Sequence, residues 1–135
     1  MIDGTWQTAS LRIFSEKLDS SEITEILDRA PTRYTKKGEL MSPRNPKSQR
    51  YDHNLWLLES NLEDSTIYDE HINYLLSFVE AKKKEITILK EKCVIDIVCA
   101  LSIDGTQASF DLNPEIINRL SAAQLGIVFD LYVNS

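Results

Sequence analysis

Three aspartates interrupt apolar runs: Asp96 in "CVIDIVCALSI", Asp111 in "ASFDL" and Asp130 in "GIVFDLYV". Each takes the outward parity of a run whose other parity is apolar, so on neighbouring strands they would set carboxylates on one solvent face of a sheet. Such a face could steer and bind a basic partner, or supply a carboxylate pair for hydrolysis. The plainer account is a solvated face that obeys alternation. His53 in "YDHN" and His71 in "DEH" also stand beside carboxylates. Two histidines so far apart in sequence read as surface residues rather than as a base or a metal ligand pair. The chain has no P-loop, no GxGxxG, no CxxC and no HExxH. No nucleotide site, metal, cofactor or catalytic residue is therefore expected, and the chain reads as a non-enzyme.

The other chemical signal is cationic. "APTRYTKKGELMSPRNPKSQRY", residues 30–51, holds Arg33, Lys36, Lys37, Arg44, Lys47 and Arg50 against the single acid Glu39, in a chain of formal charge −6, which leaves −11 on the remainder. Charges and prolines in a long hairpin loop keep it soluble and discourage edge pairing. With Tyr34, Tyr51 and Trp56 beside them, the cations also suit stacking and phosphate contact, but the acidic remainder repels phosphate. A protein-binding arm is the third reading, since Arg, Tyr and Trp are enriched at interface hot spots.

Cys93 and Cys99 lie six positions apart in one apparent strand, roughly 20 Å, whereas a disulfide needs Cα atoms within about 7 Å. They share parity with Ile95, Ile97, Leu101 and Ile103, so both are expected to be buried, reduced thiols, which suits a cytoplasmic protein.

The elements that must position these residues can be read in order. Residues 5–14 alternate, with Ala9, Leu11 and Ile13 facing one way and Ser10 and Arg12 the other, as a half-buried strand does. "LDSSEITEILDRAP" starts a helix at Asp19 with Glu22 as capping-box partner and stops it at Pro31. "RYTKKGEL" is a short strand turning at Gly38, "SPRNPKSQ" a surface loop and "HNLWLLES" the returning strand. From Thr66 to Lys92, Ile72, Leu75, Val79, Ile86 and Leu89 recur at helical spacing, opened by Thr66 and Asp69; no Gly or Pro decides between one helix and two. "KCVIDIVCALSIDGTQASFDL" reads as two strands joined at Asp104-Gly105. Asn113 and Pro114 begin a helix, and "GIVFDLYV" closes as a strand with Ile127, Phe129, Leu131 and Val133 on one face. The two capped helices after strands, "LDSSEITEIL" and "LNPEIINRL", form a weak internal echo.

A chain of 135 residues with 42% hydrophobic residues supports one core. The expectation is a single α+β domain over residues 1–135, with a basic hairpin loop at about 32–53. It would be built on one mainly antiparallel sheet of about six strands, with three or four helices packed on one face. No signal segment or apolar run of membrane-spanning length is seen, so the protein is expected to be soluble and unexported.

"SLRIF", "LDSSEITEIL", "APTRYTKKGE", "WLLES" and the terminal "LNPEIINRL…VFDLYV" together resemble the bacterial domain-of-unknown-function family 4279. Pro31-Thr32-Arg33, Tyr34, the Lys37-Gly38-Glu39 turn, Trp56, Leu58 and Ser60 carry the most specific part. The resemblance implies a small bacterial α+β protein without an accepted catalytic constellation.

The function expected is protein binding, in its sharpest form an immunity protein that neutralises a cognate toxin such as a basic nuclease. Arg33, Tyr34, Lys36, Lys37, Trp56, Asp96, Asp111 and Asp130 are the candidate partner-binding residues. The alternatives are a small enzyme or ligand-binding domain on the acidic sheet face, and a weak nucleic-acid binder through the basic loop. No membrane or nucleic-acid partner is expected, and the chain should be a monomer or a weak homodimer.

Overall fold

A computed structural model describes residues 6–105 and 107–134. Over these residues the chain is α+β, with one mixed sheet and four helices. In order, the elements are β1 (Gln7–Ser15), α1 (Ser20–Leu27), β2 (Arg33–Thr35), β3 (Asn54–Glu59), α2 (Tyr68–Ala81), α3 (Lys83–Lys90), β4 (Cys93–Asp104), α4 (Pro114–Ala123) and β5 (Gly126–Asn134). The sheet runs β2-β3-β1-β4-β5. β2 pairs antiparallel with β3, and β5 lies parallel to β4, from Asp96↔Gly126 to Asp104↔Asn134.

Parity holds for the predicted core, although Ser10, expected on the opposite face of β1, is buried too. Ala9, Leu11 and Ile13 of β1 are buried, as are Cys93, Ile95, Ile97, Cys99 and Leu101 of β4. Both cysteines are free. β5 follows less closely: Leu131 is 45% and Val133 65% exposed, and Phe129 is only half-buried.

The described sheet has five strands where about six are expected. The missing one is the return after the Asp104-Gly105 turn. Gly105 does take the positive φ of a tight turn, 92°, but residues 107–113 are irregular and lead into α4. A parallel neighbour for β4 requires a crossover, and α4 with its approach segment is that crossover. A hairpin and a crossover open with the same turn residues.

Two compact units divide the chain, one comprising residues 12–58 and 82–95, the other residues 1–11, 59–81 and 96–135. In the first, α1 packs with α3. The Asp19 carboxylate accepts from the Glu22 N–H at 2.9 Å and the Asp19 N–H reaches back to Glu22 at 3.4 Å, the reciprocal box expected. α1 stops at Asp28, in left-handed backbone (φ 51°, ψ 42°), before Pro31 is reached.

In the second unit, α2 packs with α4. Asn113 caps α4, its Oδ1 accepting from the Ile116 N–H at 2.8 Å, with Pro114 at the first helical position. Arg119 joins the two helices: its Nε and Nη2 donate to the two Glu80 oxygens, both at 2.8 Å, and its Nη1 donates to Asn73 Oδ1 at 2.8 Å. The span from Thr66 to Lys92 is two helices that meet at Lys82 (φ −110°, ψ 30°). No glycine or proline makes the break; each helix keeps to its own unit, and Lys82, Lys83 and Lys84 crowd like charge at the joint. Thr66 does not cap α2. Gln7 does so from β1, its Oε1 accepting from the Tyr68 N–H at 2.7 Å, a long-range cap that spacing within the helix cannot reveal.

Candidate functional site

The basic segment between β2 and β3 is an ordered tongue. Its base is the register Arg33↔Leu57, Tyr34↔Trp56 and Thr35↔Leu55. Beyond that register the Lys37 N–H donates to Asn54 Oδ1 at 2.8 Å, and Asn54 Nδ2 donates to the Leu18 carbonyl at 3.0 Å. The two arms then rejoin. The Gly38 N–H donates to the Tyr51 carbonyl at 2.9 Å, the Tyr51 N–H to Glu39 at 3.0 Å and the Met41 N–H to Gln49 at 2.9 Å. Gly38 sits at φ 87°, a conformation open to it because it lacks Cβ. The tip is wound by Ser48 Oγ accepting from the Ser42 N–H at 2.9 Å and Asn45 Oδ1 accepting from the Lys47 N–H at 3.0 Å.

On this frame Arg33, Lys36, Lys37, Arg44, Lys47 and Arg50 are all exposed. Arg50 turns inward with one arm, Nη1 donating to the Gly38 carbonyl at 2.6 Å. Among the described residues the other five cations make no ion pair. Tyr34 is 54% exposed beside them. Trp56, expected among the partner-binding residues, is sealed inside. Its ring is completely buried, and its Nε1 donates to Thr24 Oγ1 of α1 at 3.1 Å. A completely buried indole whose N–H is satisfied within the chain is a core residue, so Trp56 cannot touch a partner from this position.

The three aspartates do not form one set. Asp96 and Asp130 share the face of the β4–β5 pair opposite to the buried one, but Asp96 stands opposite Gly126 and Asp130 opposite Ala100. Four register steps separate them, about 13 Å along the strands. Asp111 is not on a strand. The Tyr68 hydroxyl pins it instead, lying 2.7 Å from both its backbone N–H and its carbonyl and 3.2 Å from its carboxylate. Its companion is Asp69, in the first turn of α2. One Asp69 oxygen is buried with no hydrogen-bond partner among the described residues. Burial, and then the Asp111 charge, push the Asp69 carboxyl above the usual range. Phe110 lies edge-on to Tyr68 at 6.3 Å and tilted against Phe129 at 4.8 Å, closing an aromatic wall beside the pair. Among the described residues no group of three or more ligands suited to a metal occurs.

His53 is exposed and lies 3.7 Å from Glu16. His71 departs from the expected surface position, being fully buried. Its Nε2 is 3.1 Å from the Thr66 carbonyl, which can only accept. The proton therefore sits on Nε2, and Nδ1 accepts from the Ser60 hydroxyl. Burial lowers the His71 pKa, against the raising effect of the backbone acceptors, so the ring is neutral at pH 7. A serine on a neutral histidine is the opening half of a nucleophilic pair. Here Ser60 is 1% exposed and no substrate reaches it, so the pair ties the end of β3 to the start of α2. The signal was present in the sequence: His71 stands four positions before Leu75 and eight before Val79, on the buried stripe.

The family model described as "Domain of unknown function (DUF4279)" matches residues 5–134. No curated protein matches the chain, and no solved structure does. Among the described residues no helix is long and apolar enough to cross a membrane.

Proposed function

From the premise that this chain belongs to the DUF4279 family, a family of unknown function, we propose that it is a non-enzymatic protein-binding domain whose contact surface is the tongue between β2 and β3. One observation carries the reading: five cations without an ion pair among the described residues and a half-exposed Tyr34 are mounted on a loop whose backbone ladder already exists in the free chain. A preordered loop loses less conformational freedom on binding, and Arg and Tyr are residue types on which interfaces concentrate their energy. The partner surface it fits is acidic.

The remainder of the chain carries −11, which opposes a nucleic-acid backbone. An immunity protein against a basic toxin is a separate reading, because it would use a different surface of the chain. That partner would meet carboxylates, and the wide spacing of Asp96 and Asp130 with Asp111 off the strands gives it a less concentrated target than the tongue gives an acidic one.

The test is site-specific photo-cross-linking in extract of the native host, with the probe at Tyr34 or Arg44 and a control probe at the exposed Val94. The partner recovered from the tongue positions is then purified and titrated against a variant with Arg33, Lys36, Lys37, Arg44 and Lys47 replaced by glutamine. Loss of binding with an unchanged melting temperature is expected. Undiminished binding by the neutral variant would reduce the tongue to a solubilising loop.

A further inference from the structure

We propose that the open edge of β5 pairs with β5 of a second copy of this chain, antiparallel and centred on Leu131, to give a two-fold dimer. β5 ends the strand order, and among the described residues no strand lies beyond it. A strand edge offers unpaired N–H and C=O groups, and proteins that must stay single protect such edges with lysine, proline, bulges or brevity. The opposite edge strand, β2, is three residues long and continues into the cationic, proline-bearing tongue. β5 carries a single charge, Asp130, and otherwise lacks these devices. It is nine residues long, "GIVFDLYVN", without a basic residue or proline, and its match to β4 proceeds residue by residue without a bulge.

The exposed side chains favour a second copy as the occupant. Val128 (42%), Leu131 (45%), Tyr132 (50%) and Val133 (65%) are all open, and they cover both faces of the strand. In a symmetric antiparallel pair, groups pointing outward must meet groups pointing outward, so a residue of one parity faces a residue of the same parity. The two-fold then passes through a residue facing itself. Centring on Asp130 gives the longest overlap but sets two carboxylates opposite each other, which destabilises a strand pair. Centring on Phe129 leaves Val133 outside the overlap and places Asp130 against Val128. Centring on Leu131 removes both faults: Leu131 meets Leu131, Phe129 meets Val133, and Asp130 meets Tyr132. The Tyr132 ring is already braced by Trp6, with centroids 5.2 Å apart, and its phenol can donate to the carboxylate opposite. A strand of a different protein would have to reproduce that pattern; a second β5 carries it by symmetry.

The full chain is examined by sedimentation at about 0.5 mM and about 5 µM, where a small edge interface should be dimeric at the first and dissociated at the second. Leu131→Lys, at a position open enough to accept it, should sediment as monomer at both, with an unchanged melting temperature. Four variants, Phe129→Cys, Asp130→Cys, Leu131→Cys and Tyr132→Cys, are then oxidised mildly; the native Cys93 and Cys99 are buried and stay out of the reaction. Disulfide dimer should form at least tenfold faster for Leu131→Cys than for the others. A monomer at 0.5 mM, a Leu131→Lys protein that still dimerises, or fastest oxidation at any other of the four positions would overturn the proposal.

Discussion

Tyr34 and Trp56 stand opposite each other across β2 and β3, yet the phenol is more than half exposed and the indole completely buried. One cross-strand pair thus joins the core to the proposed binding surface. Tyr34→Ala should weaken a protein partner about tenfold or more and leave the melting temperature in place, as hot-spot truncations do. Trp56→Ala should cost about 3 to 5 kcal/mol of stability by denaturant titration, with any loss of binding following from the damaged base of the tongue.

The salt dependence of binding separates phosphate from protein. If all six tongue cations contacted duplex phosphates, log affinity against log salt would fall with a slope of about −5, or about −4 on a single strand. Fluorescence anisotropy with labelled duplex and single-stranded oligonucleotides should instead detect no binding at physiological salt. A protein complex should show a shallower slope, carried mainly in the association rate.

The two thiols should be silent. Burial pushes the Cys99 thiol up to about 12, with the Asp69 charge adding to it, and burial also raises Cys93. The thiolate is the reactive form, so a maleimide should label neither residue in the native protein at pH 7 and both after denaturation, counted by intact mass.

His71 should impose a pH dependence on stability. Its folded pKa lies below the unfolded value of about 6.5, so between the two values the unfolded chain binds more protons. The contribution is complete above about pH 6.5, shrinks as pH falls below that, and levels off once the folded value is passed. His71→Gln should flatten this slope in melts taken from pH 7.5 to 5, while costing about 1 to 3 kcal/mol because Ser60 loses its acceptor.

The fork between Arg119 and Glu80 should prefer geometry to charge. Arg119→Lys keeps the cation but cannot donate to both Glu80 oxygens and Asn73 together; since Glu80 is half exposed, the expected loss is roughly 0.5 to 1 kcal/mol. The Arg119 hydrogen bonds hold the Glu80 carboxyl below its ordinary range. That increment is present above the unfolded glutamate value and disappears as pH falls through the lowered one. In Arg119→Ala the corresponding acid limb should flatten.

Local chemistry was legible in the sequence. The Asp19–Glu22 box, the Asn113-Pro114 start, the parity of Leu11, Ile13, Ile97 and Cys99, and the Gly38 turn all depend on residues within a few positions of one another. What escaped depends on distant partners. Gln7 caps α2 from another strand, the parallel pairing of β5 turns an apparent hairpin into a crossover, and Trp56 is hidden because Thr24 of α1 receives its N–H. The candidate site was legible as a charged segment with an aromatic beside it. Which aromatic faces solvent was not, because two residues in register alternate alike and only the cover supplied by α1 distinguishes them.

The pairing of the second unit also implies an order of assembly. β4, α4 and β5 are consecutive, so closing their parallel pair requires only one short crossover loop. The Ser102 N–H, by contrast, bonds the Trp6 carbonyl at 2.9 Å, and 96 positions (102 − 6) separate those residues in the sequence. Closing so long a loop carries a large entropic cost before any contact rewards it. The C-terminal third is therefore expected to form first and the N-terminal strand to close late. In stopped-flow refolding, destabilising changes within α4 should slow folding, whereas changes at Trp6 should chiefly accelerate unfolding.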